Sequence, residues 1–398
     1  MIGDPKSSHR LLLSSLGFTM FVMQMPSILL GLLLIEVAKS FNTSIGVMGQ
    51  IRTASSIMGI IISIFMGVLS VKYRYKPLLL SGLTILILSS ILCSYSTSFE
   101  MMLVSSAFLG AGMSVTSPMI SALVGQHLTS NQRASALGWF NGAAALAYLI
   151  GSPTIAILSG LSGWREVFQL FIMPLFVFTF SFTYKGVPPY VEKNPGEKDV
   201  AKIFDGYRAV LNNSSAITCL IGNVSSMSIW SSFLVFSSSF IRETFLLSTM
   251  LTSLSTIIGA SLYIGGSISC GYLVNRYGLR KVSLFASIPS GMFILFYYNN
   301  PNLWATLIFG YLAALCNGLL LSAISVFTLE QVPYYSGTMM SLSSAAGGLG
   351  SAIGTGFVGW LIISRGYGAS GQYFILMSII TFIVYFYLKD PRTRVLVS

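Results

Sequence analysis

Charge is scarce in this chain of 398 residues. Asp, Glu, Lys and Arg together make up 8% of it, while 54% is apolar, a balance that excludes a water-solvated globule. Histidine occurs only at His9 and His127, and the sequence has no Cys-x-x-Cys pair and no Cys/His cluster, which argues against a bound metal. Cys93, Cys219, Cys270 and Cys316 all fall inside apolar runs and read as small packing residues rather than disulfide halves. None of the 11 acidic residues lies near the middle of such a run, so a carboxylate-centred site for organic cations loses support. No nucleophile–base pair stands at membrane depth, so the sequence implies neither enzyme chemistry nor a cofactor. Gly347-Gly348-Leu349-Gly350 lacks a preceding strand and a Lys-Ser/Thr ending, which argues against a nucleotide loop.

What the chain has in abundance is long apolar runs. Each can cross about 30 Å of hydrocarbon as a helix rising about 1.5 Å per residue. Twelve are expected, near 11–37, 45–71, 77–97, 99–126, 134–160, 164–185, 214–240, 248–274, 282–299, 302–329, 336–363 and 370–388. The fold class is therefore an all-α integral membrane protein. The formal charge of +11 does not point to nucleic acid. With the N-terminus inside, seventeen of the 22 Lys and Arg fall in cytoplasmic segments, the positive-inside pattern. Both termini are thus expected in the cytoplasm, with the chain as a multi-pass protein of the plasma membrane. The first run has no small-residue cleavage site and exceeds a signal-peptide core, so it reads as a retained helix.

One stretch occurs twice. Gly67-Val68-Leu69-Ser70-Val71-Lys72-Tyr73-Arg74-Tyr75-Lys76 returns as Gly271-Tyr272-Leu273-Val274-Asn275-Arg276-Tyr277-Gly278-Leu279-Arg280, half a chain later. Such a repeat implies two six-helix bundles, residues 1–185 and 214–398, joined by a cytoplasmic linker over 186–213. Within that linker Val200, Ile203, Phe204, Tyr207, Val210 and Leu211 follow helical spacing opposite Asp199, Lys202, Asp205 and Arg208, as in an amphipathic helix on a membrane surface. Small residues such as Gly347, Gly350, Gly354 and Gly359 recur four apart inside spans, where they let helix backbones approach closely.

These residues resemble the major facilitator superfamily of secondary transporters over essentially the whole length. The loop between the second and third spans is similar to that family's signature loop at Gly67, Leu69, Lys72 and Lys76, and its second copy at Gly271, Leu273, Arg276, Gly278 and Arg280. Gly151-Ser152-Pro153 and Gly163-Trp164-Arg165-Glu166-Val167-Phe168 resemble the corresponding region of the superfamily's drug and sugar exporters. The resemblance implies two pseudo-symmetric six-helix bundles, alternating access, transport of a small molecule by a monomer, and a proton as the default coupling ion. The chain departs from the pattern where Val71 and Asn275 replace the loop's Asp and where Ser106 replaces an Arg of proton-driven exporters.

Candidate residues follow from depth, since a polar group in lipid requires a partner or water. Glu36 and Arg52 count to similar depth and are expected to pair, as a fixed clamp or as a gate and coupling pair. Gln24, Asn141, Asn223 and Asn317 lie mid-span, as interhelical ties or as substrate contacts; the resemblance places the first, seventh and tenth spans around the cavity. Trp139, Tyr148, Trp230 and Tyr263 could wall that cavity or simply pack. For gating, the signature loops add Lys72, Lys76, Asn275, Arg276 and Arg280. The leading expectation is a secondary active exporter of small organic solutes. An uncoupled facilitator or uptake carrier of a small organic anion, and a non-transporting receptor or scaffold, are the alternatives.

Overall fold

Lipid offers no hydrogen bonds to the backbone, so every apolar run must satisfy its own N–H and C=O groups by closing into a helix. The structure, a computed structural model, describes residues 5–127, 130–188, 200–332 and 336–388. Among the described residues it is all helix, and twelve helical segments are long and apolar enough to cross a membrane. They form two pseudo-symmetric six-helix bundles.

The first span is broken into α1 (Pro5–Met23), α2 (Met25–Leu32) and α3 (Leu34–Ser40). Pro26, in the first turn of α2, has no N–H to give back to the preceding turn, and the chain bends at Gln24 just before it. The second to fifth spans are α4 (Ile45–Lys72), α5 (Tyr75–Ser94), α6 (Phe99–His127) and α7 (Ser130–Ser162). The sixth begins as α8 (Trp164–Val167), widens into a π-turn over Phe168–Ile172 and continues as α9 (Met173–Gly186). In that turn the Met173 N–H reaches back to Phe168 O, one residue beyond the α pattern, next to Pro174. The linker holds α10 (Val200–Leu211), an amphipathic segment packed on the eleventh span; the side chains of Val200, Ile203 and Phe204 lie outside the described residues. The second bundle is α11 (Ser214–Thr244), α12 (Thr249–Tyr277), α13 (Leu279–Asn299), α14 (Leu303–Gln331), α15 (Ser336–Arg365) and α16 (Tyr367–Tyr387).

Polar caps set several of these starts. Ser44, Asn213, Ser248 and Asn302 each accept a backbone N–H from the first turn that follows, satisfying donors the helix itself leaves open. The two signature loops turn differently. Gly278 passes between α12 and α13 with φ +87°, whereas Arg74, its counterpart, stays extended at φ −67°, because a Cβ disfavours the left-handed region.

Packing repeats with the sequence. In the first half α5 lies on α6, α6 on α4, and α1 on α7 and α9; in the second α13 lies on α14, α14 on α12, and α11 on α15 and α16. The halves meet through α4 on α15 and, by the same exchange, α7 on α12. A pseudo-twofold therefore relates them. Two side chains show it at atomic level: Lys76 Nζ donates to Val187 O and stands over the Tyr184 ring, while Arg280 Nη2 donates to Phe386 O and stands over the Phe386 ring. Each cation closes its own bundle by capping that bundle's last helix.

Candidate functional site

The two halves are tied together at one end of the molecule. Arg242, in the last turn of α11, donates Nη1 to Glu36 Oε2 at 2.8 Å and Nη2 to Glu36 Oε1, and Nη1 also donates to Leu32 O at 2.9 Å. Glu36 therefore pairs with Arg242, across the halves, and not with Arg52 as depth-counting from the sequence suggests. The reason is geometric. Arg242 ends its helix at the same level as α3, whereas Arg52 stands two turns inside α4 and bonds elsewhere.

From this pair a polar seam runs inward to about mid-depth. Thr53 Oγ1 shares a hydrogen bond with Thr355 Oγ1 at 3.0 Å and donates to Ala352 O at 3.2 Å, Ser56 Oγ donates to Ser351 Oγ at 3.2 Å, and Ser152 Oγ donates to Ser253 O at 3.5 Å. The backbones of α4 and α15 nearly touch. A Cβ on Gly46 would lie 2.3 Å from Gly359 O, and one on Gly359 would lie 2.3 Å from Gly46 O. These cross-bundle hydrogen bonds all lie on the Glu36 side. At the same end Arg165 donates Nη2 to Ser96 O at 3.0 Å and lies 4.4 Å over the Trp164 ring, closing the loops at that end of the first bundle onto one another.

Beside the seam stands Arg52. Its Nη1 donates to Ser27 Oγ of α2 at 3.4 Å, and Tyr148 of α7 is its electrostatic neighbour. Gln24 lies one helical turn from Ser27 on the same face and makes no capping bond although it precedes α2. Tyr263, from the second bundle, is in turn within electrostatic reach of Tyr148. Tyr263 stacks on Trp230 with ring centroids 5.0 Å apart and planes 12° from parallel, and Phe233 follows at 5.9 Å. A chain of neighbours thus runs from Ser27 and Arg52 through Tyr148 to the Tyr263–Trp230 stack of the other half. Among the described residues Arg52 has no carboxylate partner.

Other candidates lie apart from this group. The Asn223 amide donates to Ser343 O at 2.7 Å and Ser343 Oγ at 2.9 Å, tying α11 to α15. Asn317 is fully buried in α14; its Nδ2 donates to Ala313 O of its own helix at 2.9 Å, and its Oδ1 has no partner among the described residues. Lys76 and Arg280 are engaged inside their own bundles. Arg276 Nη1 donates to Tyr272 OH at 3.2 Å and, like Asn275, is exposed. The side chains of Lys72, Trp139 and Asn141 lie outside the described residues. Sequence reading did not foresee Arg242 as Glu36's partner, nor Ser27, nor the Thr53–Thr355 and Ser56–Ser351 contacts. The available signal was the small-residue stripe of Gly46, Gly49, Thr53 and Ser56 facing the glycines of the eleventh span.

A sequence profile of the Major Facilitator Superfamily matches residues 12–269 and 218–397. The uncharacterized MFS-type transporter YwfA of Bacillus subtilis (strain 168) is 22% identical over 390 residues, covering 96% of this chain and 93% of YwfA. The purine ribonucleoside efflux pump NepI of Escherichia coli (strain K12) is 30% identical over 139 residues, 34% of this chain and 35% of NepI. Among solved structures, the human organic anion transporter MFSD10 (TETRAN) aligns with a TM-score of 0.71 at 15% identity, over 97% of this chain and 100% of that one. The nucleoside transporter NupG aligns with a TM-score of 0.73 at 14% identity, over 94% and 98%. At those identities the likeness is one of fold.

Proposed function

Because the chain belongs to the Major Facilitator Superfamily, we propose that it is a secondary active transporter that exports small organic solutes by alternating access. The moving units are residues 1–185 and 214–398, with 186–213 as a cytoplasmic tether. The distribution of basic residues supports placing both termini and the signature loops in the cytoplasm of a plasma-membrane protein, which makes the Glu36 end extracellular. The conformation is then the one sealed to the outside.

One observation carries this reading: at the Glu36 end the two bundles are joined by a cross-bundle ion pair, by hydroxyl contacts and by the close approach of α4 to α15. Two rigid bundles can hinge about the central group, and opening the Glu36 end must break the Glu36–Arg242 pair and part α4 from α15. The local likeness to NepI, named as an efflux pump, and the exporter-like fifth span support the outward direction. Glu36 is the group we assign to coupling, since opening the gate parts its carboxylate from the Arg242 guanidinium. Uncoupled flux is the second reading. It is favoured by Ser106, whose hydroxyl is spent on Leu103 O of its own helix at 2.7 Å where a proton-driven exporter carries Arg.

The test needs no known solute. In a chain with Cys93, Cys219, Cys270 and Cys316 replaced, Ser56→Cys places one thiol inside the seam. If the protein alternates, a membrane-impermeant maleimide supplied from the Glu36 side labels this thiol to completion, slowly, as each molecule visits the open state. A scaffold that never opens leaves it unlabelled, and that result refutes the proposal.

A further inference from the structure

An arginine within the membrane is tolerated only where water or a counter-charge meets it. Three facts about Arg52 stand together. The one acidic residue near it in sequence depth, Glu36, is taken up by Arg242. The guanidinium has five N–H donors, and among the described residues a single one is used, on the neutral Ser27 hydroxyl at 3.4 Å. Tyr148 is its electrostatic neighbour, Tyr148 in turn interacts with Tyr263 of the opposite bundle, and Tyr263 stacks on Trp230.

We propose that Arg52 is the anion-binding residue of the central site, and that the transported solute is a flat organic monoanion whose charged group docks on Arg52 and Ser27 while its ring lies against Trp230 and Tyr263. This deepens the transporter reading above and rests on it. A planar guanidinium accepts a carboxylate or sulfonate through two parallel hydrogen bonds. The Tyr263–Trp230 rings of the opposite bundle offer apolar area and offset stacking. The two recognition elements belong to different bundles, Arg52 and Ser27 to the first and Trp230 and Tyr263 to the second. A molecule that satisfies both bridges the hinge and stabilises the occluded arrangement, which a solute contacting one bundle alone would not do. Gln24, one turn from Ser27, is placed to read a further polar substituent.

The site is tested by ligand binding to the purified full-length protein, read as thermal stabilisation and as quenching of tryptophan emission. The probes are benzoate and 2-naphthoate, each against its neutral carboxamide. The acids should half-saturate the wild type at about tenfold to hundredfold lower concentration than the amides, the factor that a hydrogen bond to a charged group supplies. Arg52→Gln should erase that preference, Arg52→Lys should keep part of it, and 2-naphthoate should bind more tightly than benzoate. Equal affinity for acid and amide, no binding of either, or an unchanged preference in Arg52→Gln overturns the anion assignment. Labelling at Ser56→Cys reports alternation independently of any ligand. A protein that alternates but ignores these acids keeps its transport mechanism and loses this solute class.

Discussion

The contact of Gly46 with Gly359 gives the gate its most exacting test. Alanine at either position adds one methyl group, which in the sealed state would sit 2.3 Å from the other residue's carbonyl oxygen. The obstacle is helix backbone on both sides, so the contact can be relieved only by moving α4 away from α15. Overpacking of this kind costs about 1–3 kcal/mol. The gain in helix propensity on replacing glycine, about 1 kcal/mol, applies to both conformations and leaves their ratio alone. Gly46→Ala should therefore shift the balance toward the state open at the Glu36 end by a factor of about 5 to 150. The assay is the labelling rate of Ser56→Cys from that side, which should rise by the same factor. Gly359→Ala should match it, and the double variant should add little, because both methyl groups relieve one shared contact. Gly142→Ala and Gly265→Ala are the controls, since a Cβ at either position meets no atom within 4 Å. A folded Gly46→Ala protein that labels at the wild-type rate would refute the closed-seam account.

Two further perturbations address the cations. Glu36→Gln removes a pair in which Arg242 is well buried but Glu36 keeps 36% of its side-chain surface. Solvent screening limits its worth to about 1–2 kcal/mol, so the same reporter should label roughly five to thirty times faster, and exchanging the two charges (Glu36→Arg with Arg242→Glu) should restore the slow rate. Lys76→Met and Arg280→Met each remove a capping bond and an aromatic contact inside one bundle, and each should lower the unfolding temperature in detergent by a similar amount, corresponding to about 1–2 kcal/mol, without altering labelling at Ser56→Cys. Unequal losses, or a change in gate labelling, would show that the two loops do different work.

The fold was legible because it follows from solvent. Twelve runs too apolar for water must be helices, and their observed ends differ from the sequence expectation by a few residues, as at the fifth span, which begins at Ser130 rather than near 134. The break at Gln24 stands two residues before Pro26, whose missing N–H is a local property of the sequence. The duplicated loops announced the repeat, and Lys76 and Arg280 indeed occupy equivalent places. Their contacts were not legible: both cations engage the end of the last helix in their own bundle, some hundred residues away, at Val187 and Phe386.

The candidate site was legible in its residue types and not in their grouping. Arg52, Gln24, Tyr148, Trp230 and Tyr263 could all be picked out as polar or aromatic groups at depth. Asn223 was picked out on the same grounds, yet its amide is occupied by Ser343 on a neighbouring helix. Depth along a helix can be counted; rotation about its axis relative to five neighbours cannot.

Composition, periodicity and the internal repeat by themselves determined that this chain spans the membrane twelve times in two related halves, because the cost of unpaired backbone in lipid acts on each segment separately. Which charges pair was decided only by tertiary structure. Glu36 found Arg242 and left Arg52 without a carboxylate because partner choice depends on distances between helices about two hundred residues apart, and those are fixed when the bundles pack.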